Sequence, residues 1–266
     1  MPDTGVRVDC DGPVATVTLC RPHVLNAQTP TMWEHLREIG RDLAGDIRVV
    51  VVRGEGRAFS AGLDLAAVST NPTADPNADS VDESENFSFA RMATLGDDEA
   101  SARIAGFQEA FSWLRRPNVV SIAAVRGHAI GAGFQLALAC DLRVVTEDAQ
   151  FTMAEVALGL VPDLGGTKRL VELVGYARAL DICVTGRRVG AAEADRLGLA
   201  TTVVPGEQLD EAVTTLTGQI LAANRDAVIE IKALLAEAGN RTFDAQAAAE
   251  REAQVRRIRD VVGSGE

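Results

Sequence analysis

The stretch that decides the fold runs from Val119 to Cys140, VVSIAAVRGHAIGAGFQLALAC. Val119–Val125 is a short apolar run with no polar alternation, which suits a parallel strand covered on both faces. Gly127 to Gly133 is a glycine-rich turn, and Phe134–Cys140 begins a buried helix. Strand, tight turn and buried helix in succession form the unit of an α/β protein.

The same alternation continues on both sides. Val6–Cys10 and Val14–Leu19 flank the turn signal Asp11-Gly12-Pro13 and read as a hairpin. Apolar residues at 32, 33, 36, 39 and 43 give Met32 to Leu43 helical spacing. Ile47–Val52 is a second continuous apolar strand. Thr70 to Asp98, with Pro72, Pro76 and many acidic residues, reads as a long loop and a candidate lid. Ile104 to Leu114 is helical. Downstream of the deciding stretch, Leu142–Val145, Phe151–Met153 and Ala200–Val204 read as strands, and Leu170–Leu173, Ala177–Val184 and Ala191–Leu197 as helices. From Leu209 to about Asp260 the chain is Ala-rich and helical, a cap or an oligomer surface. No internal repeat is visible.

Composition narrows the function classes. The 266 residues suffice for one large domain or two small ones. Lys+Arg 26 against Asp+Glu 38 gives net charge -12, the wrong sign for a protein held by nucleic-acid phosphates. The uncharged run Ala129 to Cys140 is too short to cross a bilayer. The start, MPDTGVRVDCDGP, has no apolar signal-peptide core. Four widely spaced cysteines (Cys10, Cys20, Cys140, Cys183) argue against a disulfide framework or zinc ribbon; they read as buried small hydrophobes in a reducing cytoplasm.

Several motifs fail. Gly54-Glu55-Gly56 follows a strand, but Phe59 stands where a dinucleotide fingerprint needs its third glycine. Gly165-Gly166-Thr167-Lys168 lacks the P-loop order. Ala58-Phe59-Ser60-Ala61-Gly62 misses the first glycine of a nucleophile elbow, which leaves a Ser60–His128 hydrolase as a minor alternative. No His, Cys or carboxylate cluster has metal spacing.

Three segments survive. Arg57-Ala58-Phe59-Ser60-Ala61-Gly62-Leu63-Asp64-Leu65 and the turn from Gly127 to Gln135 each lead through small residues into a helix start, where backbone N–H groups are free. Two such donors converging on one carbonyl oxygen make an oxyanion hole. The third segment, Ala154 to Gly166, sets Glu155 and Asp163 in an apolar stretch, where desolvation raises a carboxyl pKa and makes a usable base.

Together these segments resemble the enoyl-CoA hydratase/isomerase (crotonase) superfamily over nearly the whole chain. The match covers Arg21-Pro22 with Leu25-Asn26-Ala27, Ala58–Asp64, Ile122–Asp141, Gln150–Leu170 and Leu180–Ala200. The resemblance implies an α/β spiral of ββα turns over residues 1–200, carrying the acyl-CoA site. Residues 201–266 become a C-terminal helical trimerisation or cap region, in a homotrimer or dimer of trimers. It implies that the backbone N–H groups of Ala61 and Ala132 hold a thioester carbonyl. CoA would lie along Leu25–Ala27 and Ala61–Asp64, that is Ala61, Gly62, Leu63 and Asp64, and near Gly131, with Arg21, Arg57 or Arg53 on its phosphates. CoA enters as part of the substrate; no separate cofactor, metal, nucleic acid or membrane is implied.

In the hydratases of this family two glutamates split water. The second matches Glu155, and the first falls on Gln135, which holds water but transfers no proton. The single-glutamate Δ3,Δ2-enoyl-CoA isomerases match at Glu155. The dienoyl-CoA isomerases add an aspartate eight positions on, where Asp163 stands. The expected activity is therefore double-bond isomerisation. Hydration through Asp163 is the alternative, and a non-catalytic acyl-CoA-binding protein a third reading. The family's usual C-terminal segment is absent from Arg259–Glu266.

Overall fold

The computed structural model describes residues 4–65 and 88–263. Its elements are β1 (Val6–Asp11), β2 (Val14–Leu19), α1 (Pro30–Asp42), β3 (Val49–Gly54), α2 (Phe89–Met92) and α3 (Asp97–Ser112). Then come β4 (Val120–Val125), β5 (His128–Ile130), α4 (Ala132–Ala139), β6 (Leu142–Thr146), β7 (Gln150–Thr152), α5 (Gly166–Val174) and α6 (Tyr176–Thr185). The chain closes with β8 (Arg188–Gly190), α7 (Ala191–Arg196), β9 (Thr202–Val204), α8 (Leu209–Ala222), α9 (Arg225–Glu237) and α10 (Phe243–Gly263).

A six-stranded sheet has the order β1-β2-β3-β4-β6-β9, and a three-stranded sheet the order β5-β7-β8. The expected hairpin is the antiparallel β1–β2 pair; β2, β3, β4, β6 and β9 are parallel. β4-β5-α4 and β6-β7-α5 repeat one unit: the first strand joins the large sheet, the second the small one, and a helix follows. This is the ββα spiral.

The apolar runs of β3 and β4 have a two-sided explanation. Val50, Val52, Ala123 and Val125 belong to the main core with α1, α3 and α4. Val49, Val51, Ile122 and Ala124 point the other way, into a second core closed by Leu209 and Val213 of α8. Both faces are covered, so neither can alternate with polar residues.

The structure corrects several expectations. Gly127 to Gly133 contains a strand, β5. β8, beside two arginines, adds a strand that the pattern does not show. Of the Thr70 to Asp98 loop, residues 70–87, and with them the body of the candidate lid, lie outside the described residues. The rest holds α2 and the start of α3. Asp97, Asp98 and Glu99 are first-turn acids that complement the dipole of α3. Cys10 is exposed and Cys20 and Cys183 half-buried; Cys140 alone fits the buried-hydrophobe reading. Across the expected division at 200/201, β9 pairs with β6 and α8 packs on the sheet in the second core.

α9 is tied to the sheet end by a polar anchor. Lys232 Nζ donates to Asp141 Oδ2 at 2.6 Å and to the Val119 carbonyl at 2.6 Å. Asp141 Oδ2 also accepts from Ser121 N and Oγ. Burial pushes the Lys232 pKa down, against the pull of Asp141. Lys232→Met should cost about 2 kcal/mol, because it strands a half-buried carboxylate. Urea unfolding checks this; an unchanged midpoint would show that the anchor contributes nothing.

Candidate active site

Two chain reversals are laced together by main-chain hydrogen bonds. Phe59 N–H donates to the Arg126 carbonyl (2.8 Å), Ser60 N–H to His128 (2.9 Å), and Ile130 N–H to Ser60 (3.0 Å). The approach is so close that side chains are excluded. A Cβ on Gly62 would stand 2.5 Å from the Ile130 oxygen, and one on Gly127 2.2 Å from the Arg57 oxygen. Both glycines also have positive φ.

Which amides remain free follows from a single β-bridge. Gln28 pairs in parallel with Leu63. Gln28 N–H donates to the Gly62 carbonyl (2.7 Å), and Asp64 N–H donates to the Gln28 carbonyl (2.8 Å). Those bonds use the groups on either side of Leu63, so its own N–H faces the opposite way and has no acceptor among the described residues. The N–H of Ala132, the first residue of α4, is likewise unpaired there. Ala61 is different. Its N–H donates to the Leu25 carbonyl at 2.8 Å and is not available to a ligand. The open amide of the first reversal, on a residue that lines the cavity with Ala132, is that of Leu63.

Both residues line a cavity of about 520 Å³, together with Gln135, Glu155 and Asp163. Gln135, on the buried face of α4, acts as a bracket. Its Oε1 accepts from the N–H groups of Leu164 (2.9 Å) and Gly166 (3.2 Å). This fixes the amide orientation and turns Nε2 onto Glu155 Oε1 at 2.7 Å. Glu155 Oε2 is buried with no hydrogen-bond partner among the described residues. Burial pushes the Glu155 pKa up; the Gln135 bond opposes this and the nearby Asp163 charge adds to it. Burial pushes the Asp163 pKa up as well. The rest of the wall is mostly apolar: Trp33, Phe89, Met92, Ile104 and Phe107 come from α1, α2 and α3. The sequence signalled Trp33 only as an apolar position at helical spacing and did not single out Phe107.

The other expected residues divide. Arg21 Nη1 donates to the Ala27 carbonyl (2.7 Å) and to Asp64 Oδ2 (2.9 Å). The pair ties segment 25–27 to segment 61–64 and neutralises Arg21. Leu25 and Asn26 have positive φ; the Asn26 side chain compensates by donating to the Glu55 and Ala58 carbonyls. Gly131 lies beside the Glu155 carboxyl, and its absent Cβ would stand 3.3 Å from Oε1. Arg57 is exposed. Arg53 is not brought to this cavity; it pairs with Asp210 at 3.1 Å, lining a separate polar cleft. The serine-hydrolase alternative falls: Ser60 is 0% exposed and its Oγ donates to the Asn26 carbonyl. Among the described residues there is no metal-ligating cluster, and no helix long and apolar enough to cross a membrane.

Two unpaired amides and a desolvated carboxylate line one largely apolar cavity, the set of groups that chemistry at a carbon beside a bound carbonyl requires. The Enoyl-CoA hydratase/isomerase family model matches residues 9–91 and 87–261, and the chain belongs to that family of enzymes. A Thermobifida fusca YX structure solved in complex with CoA is 45% identical, with a TM-score of 0.88, over 98% of this chain and 95% of that one. The same organism's protein is also solved with acetoacetyl-CoA. Among curated relatives, the "Probable enoyl-CoA hydratase echA8" of Mycobacterium bovis is 33% identical over 80% of this chain and 74% of its own length. The peroxisomal Delta(3,5)-Delta(2,4)-dienoyl-CoA isomerase of Arabidopsis thaliana is 31% identical over 86% of this chain and 80% of its own.

The electrostatics can be tested without substrate. A carbon-13 NMR titration should place the Glu155 carboxyl above the ordinary glutamate range. Asp163→Asn removes a like charge and should lower that midpoint; Gln135→Leu removes a stabilising donor and should raise it. A midpoint in the ordinary range, indifferent to both changes, would contradict the geometry.

Proposed function

We propose that the protein isomerises the double bond of an enoyl-CoA. The observation that carries this is the 2.7 Å bond from Gln135 to Glu155: an amide stands beside the base, not a second carboxylate. Hydration needs a second group to move a proton to or from water, and an amide cannot.

The chemistry runs as follows. The thioester oxygen of a 3-enoyl-CoA accepts from the Leu63 and Ala132 N–H groups. Glu155 Oε2 takes a proton from C2, and the C2–H electron pair passes into a dienolate whose charge rests on that oxygen. Return of a proton to C4 gives the conjugated 2-enoyl thioester. A base with a raised pKa suits both halves, since it is stronger when ionised and a willing donor when protonated. Asp163 is the second proton carrier, as a dienoyl substrate would need. CoA is a part of the substrate, lying along Leu25–Ala27 and Ala61–Asp64 and near Gly131, with Arg57 the available cation for its phosphates.

Asp163 also favours a second reading, hydration as a lyase, because it supplies another desolvated carboxylate to the same cavity. The non-catalytic reading has less support, since two carboxylates in an apolar cavity are costly to keep without use. Exposed Leu235 (70%) and Phe243 (87%) on α9 and α10 support a homotrimer or dimer of trimers built through the C-terminal helices. Four free thiols support a cytoplasmic protein.

A paired assay tests the reading. A 3-enoyl-CoA should gain conjugated-thioester absorbance, and the matching trans-2-enoyl-CoA should stay nearly constant. Loss of absorbance from the second with no gain in the first would mean hydratase. Glu155→Gln should lower turnover about 10³-fold or more while CoA-thioester binding survives; full activity in that variant would overturn the assignment.

A further inference from the structure

Behind the cavity wall lies a polar chain that the proton chemistry does not use. Trp33 Nε1 donates to Gln28 Oε1 at 2.8 Å, and Gln28 Nε2 donates to Ser60 Oγ at 3.0 Å. Ser60 Oγ donates onward to the Asn26 carbonyl (2.8 Å) and accepts from Gly62 N–H (3.2 Å). Asn26, Gln28 and Ser60 are each 0% exposed. Burying three amide or hydroxyl side chains is expensive unless every group is paired, and a small apolar residue would serve packing as well. The position of the chain suggests its use. The main chain of Gln28 grips the residues on both sides of Leu63, through Gly62 O and Asp64 N. Its side chain grips the same turn a second time, through Ser60 Oγ and Gly62 N–H.

We propose that Gln28, held by Trp33 and acting through Ser60, is the positioning residue that aims the Leu63 amide at the thioester oxygen. This rests on the reading of Leu63 as a thioester donor. Gln28 touches no reacting atom; its main chain holds the Gly62–Leu63 peptide through the Gly62 oxygen, and its side chain braces the preceding peptide through Ser60 Oγ and the Gly62 N–H, so the direction of the Leu63 amide rests on both. An oxyanion donor works only when aimed where the charge develops, and a misplacement of about 1 Å costs on the order of 10²-fold in rate. Because the Trp33 ring also forms part of the cavity wall, the same chain couples the acyl wall to the donor.

The test reads carbonyl polarisation directly. Hexanoyl-CoA labelled with carbon-13 at the thioester carbonyl is bound to the full-length protein, and its carbonyl stretch is followed by difference infrared spectroscopy. In the wild type the stretch should move to lower frequency on binding. Gln28→Met keeps the side-chain length but loses both bonds. It should reverse most of that shift and lower isomerase kcat by about 10- to 100-fold with KM little changed. Trp33→Phe keeps an aromatic wall and removes only the first donor, so it covers the case in which Gln28→Met fails to fold; it should reverse part of the shift. A merely structural role predicts lower thermal stability with the wild-type frequency and kcat retained in either folded variant, and that result would overturn the proposal. No shift in the wild type would instead sink the oxyanion reading on which it stands.

Discussion

The site depends on one constraint: two chain reversals, one after β3 and one after β4, must approach to within main-chain hydrogen-bond distance. The bonds from Phe59, Ser60 and Ile130 set their register. Gly62 and Gly127 are required because any Cβ there would collide with a carbonyl oxygen of the other reversal. The bridge to Gln28 then decides which peptide of the first reversal is satisfied and which is left open. The open amides beside the cavity are in this sense a by-product of packing two loops too tightly for side chains.

Opposite the amides, the carboxylates are held by the fold rather than by counter-charges. Burial is the main influence on Glu155 and Asp163 and pushes both pKa values up; among the described residues no cation holds either down. Gln135 spaces them, with one end on Glu155 and the other on the backbone that carries Asp163. Helix α4 therefore contributes twice, with the Ala132 amide at its start and the Gln135 bracket one turn later. At its far end, the buried Arg143 guanidinium donates to the Ala137 and Cys140 carbonyls and offsets the negative pole of the helix.

Most of this architecture was legible in the sequence where periodicity is long or absent for a clear reason. The flat apolar runs of β3 and β4 announced a sheet covered on both sides, and α1 announced itself by spacing. β5 lies inside a glycine-rich turn and β8 beside two arginines, so neither stands out as the equally short β7 and β9 do, and the acids that open α3 imitate a solvated loop. At the site, Glu155 and Asp163 were legible as carboxylates in an apolar stretch, and Gln135 only through the family resemblance. The free amide was not. Ala61 and Leu63 sit in one small-residue turn, and only the pairing of Gln28, distant in sequence, shows that the first is occupied and the second open. The Trp33–Gln28–Ser60 chain was invisible for the same reason, since it joins two segments whose bonded residues, Gln28 and Ser60, are 32 positions apart.

The most direct test of the account is to let the enzyme act on a 3-enoyl-CoA in deuterium oxide enriched in oxygen-18, and to locate both isotopes in the product. The account predicts a 2-enoyl-CoA with no oxygen-18 at C3, its new C4 hydrogen being the one removed from C2 or a deuteron from solvent. Oxygen-18 at C3 as the main outcome would contradict it.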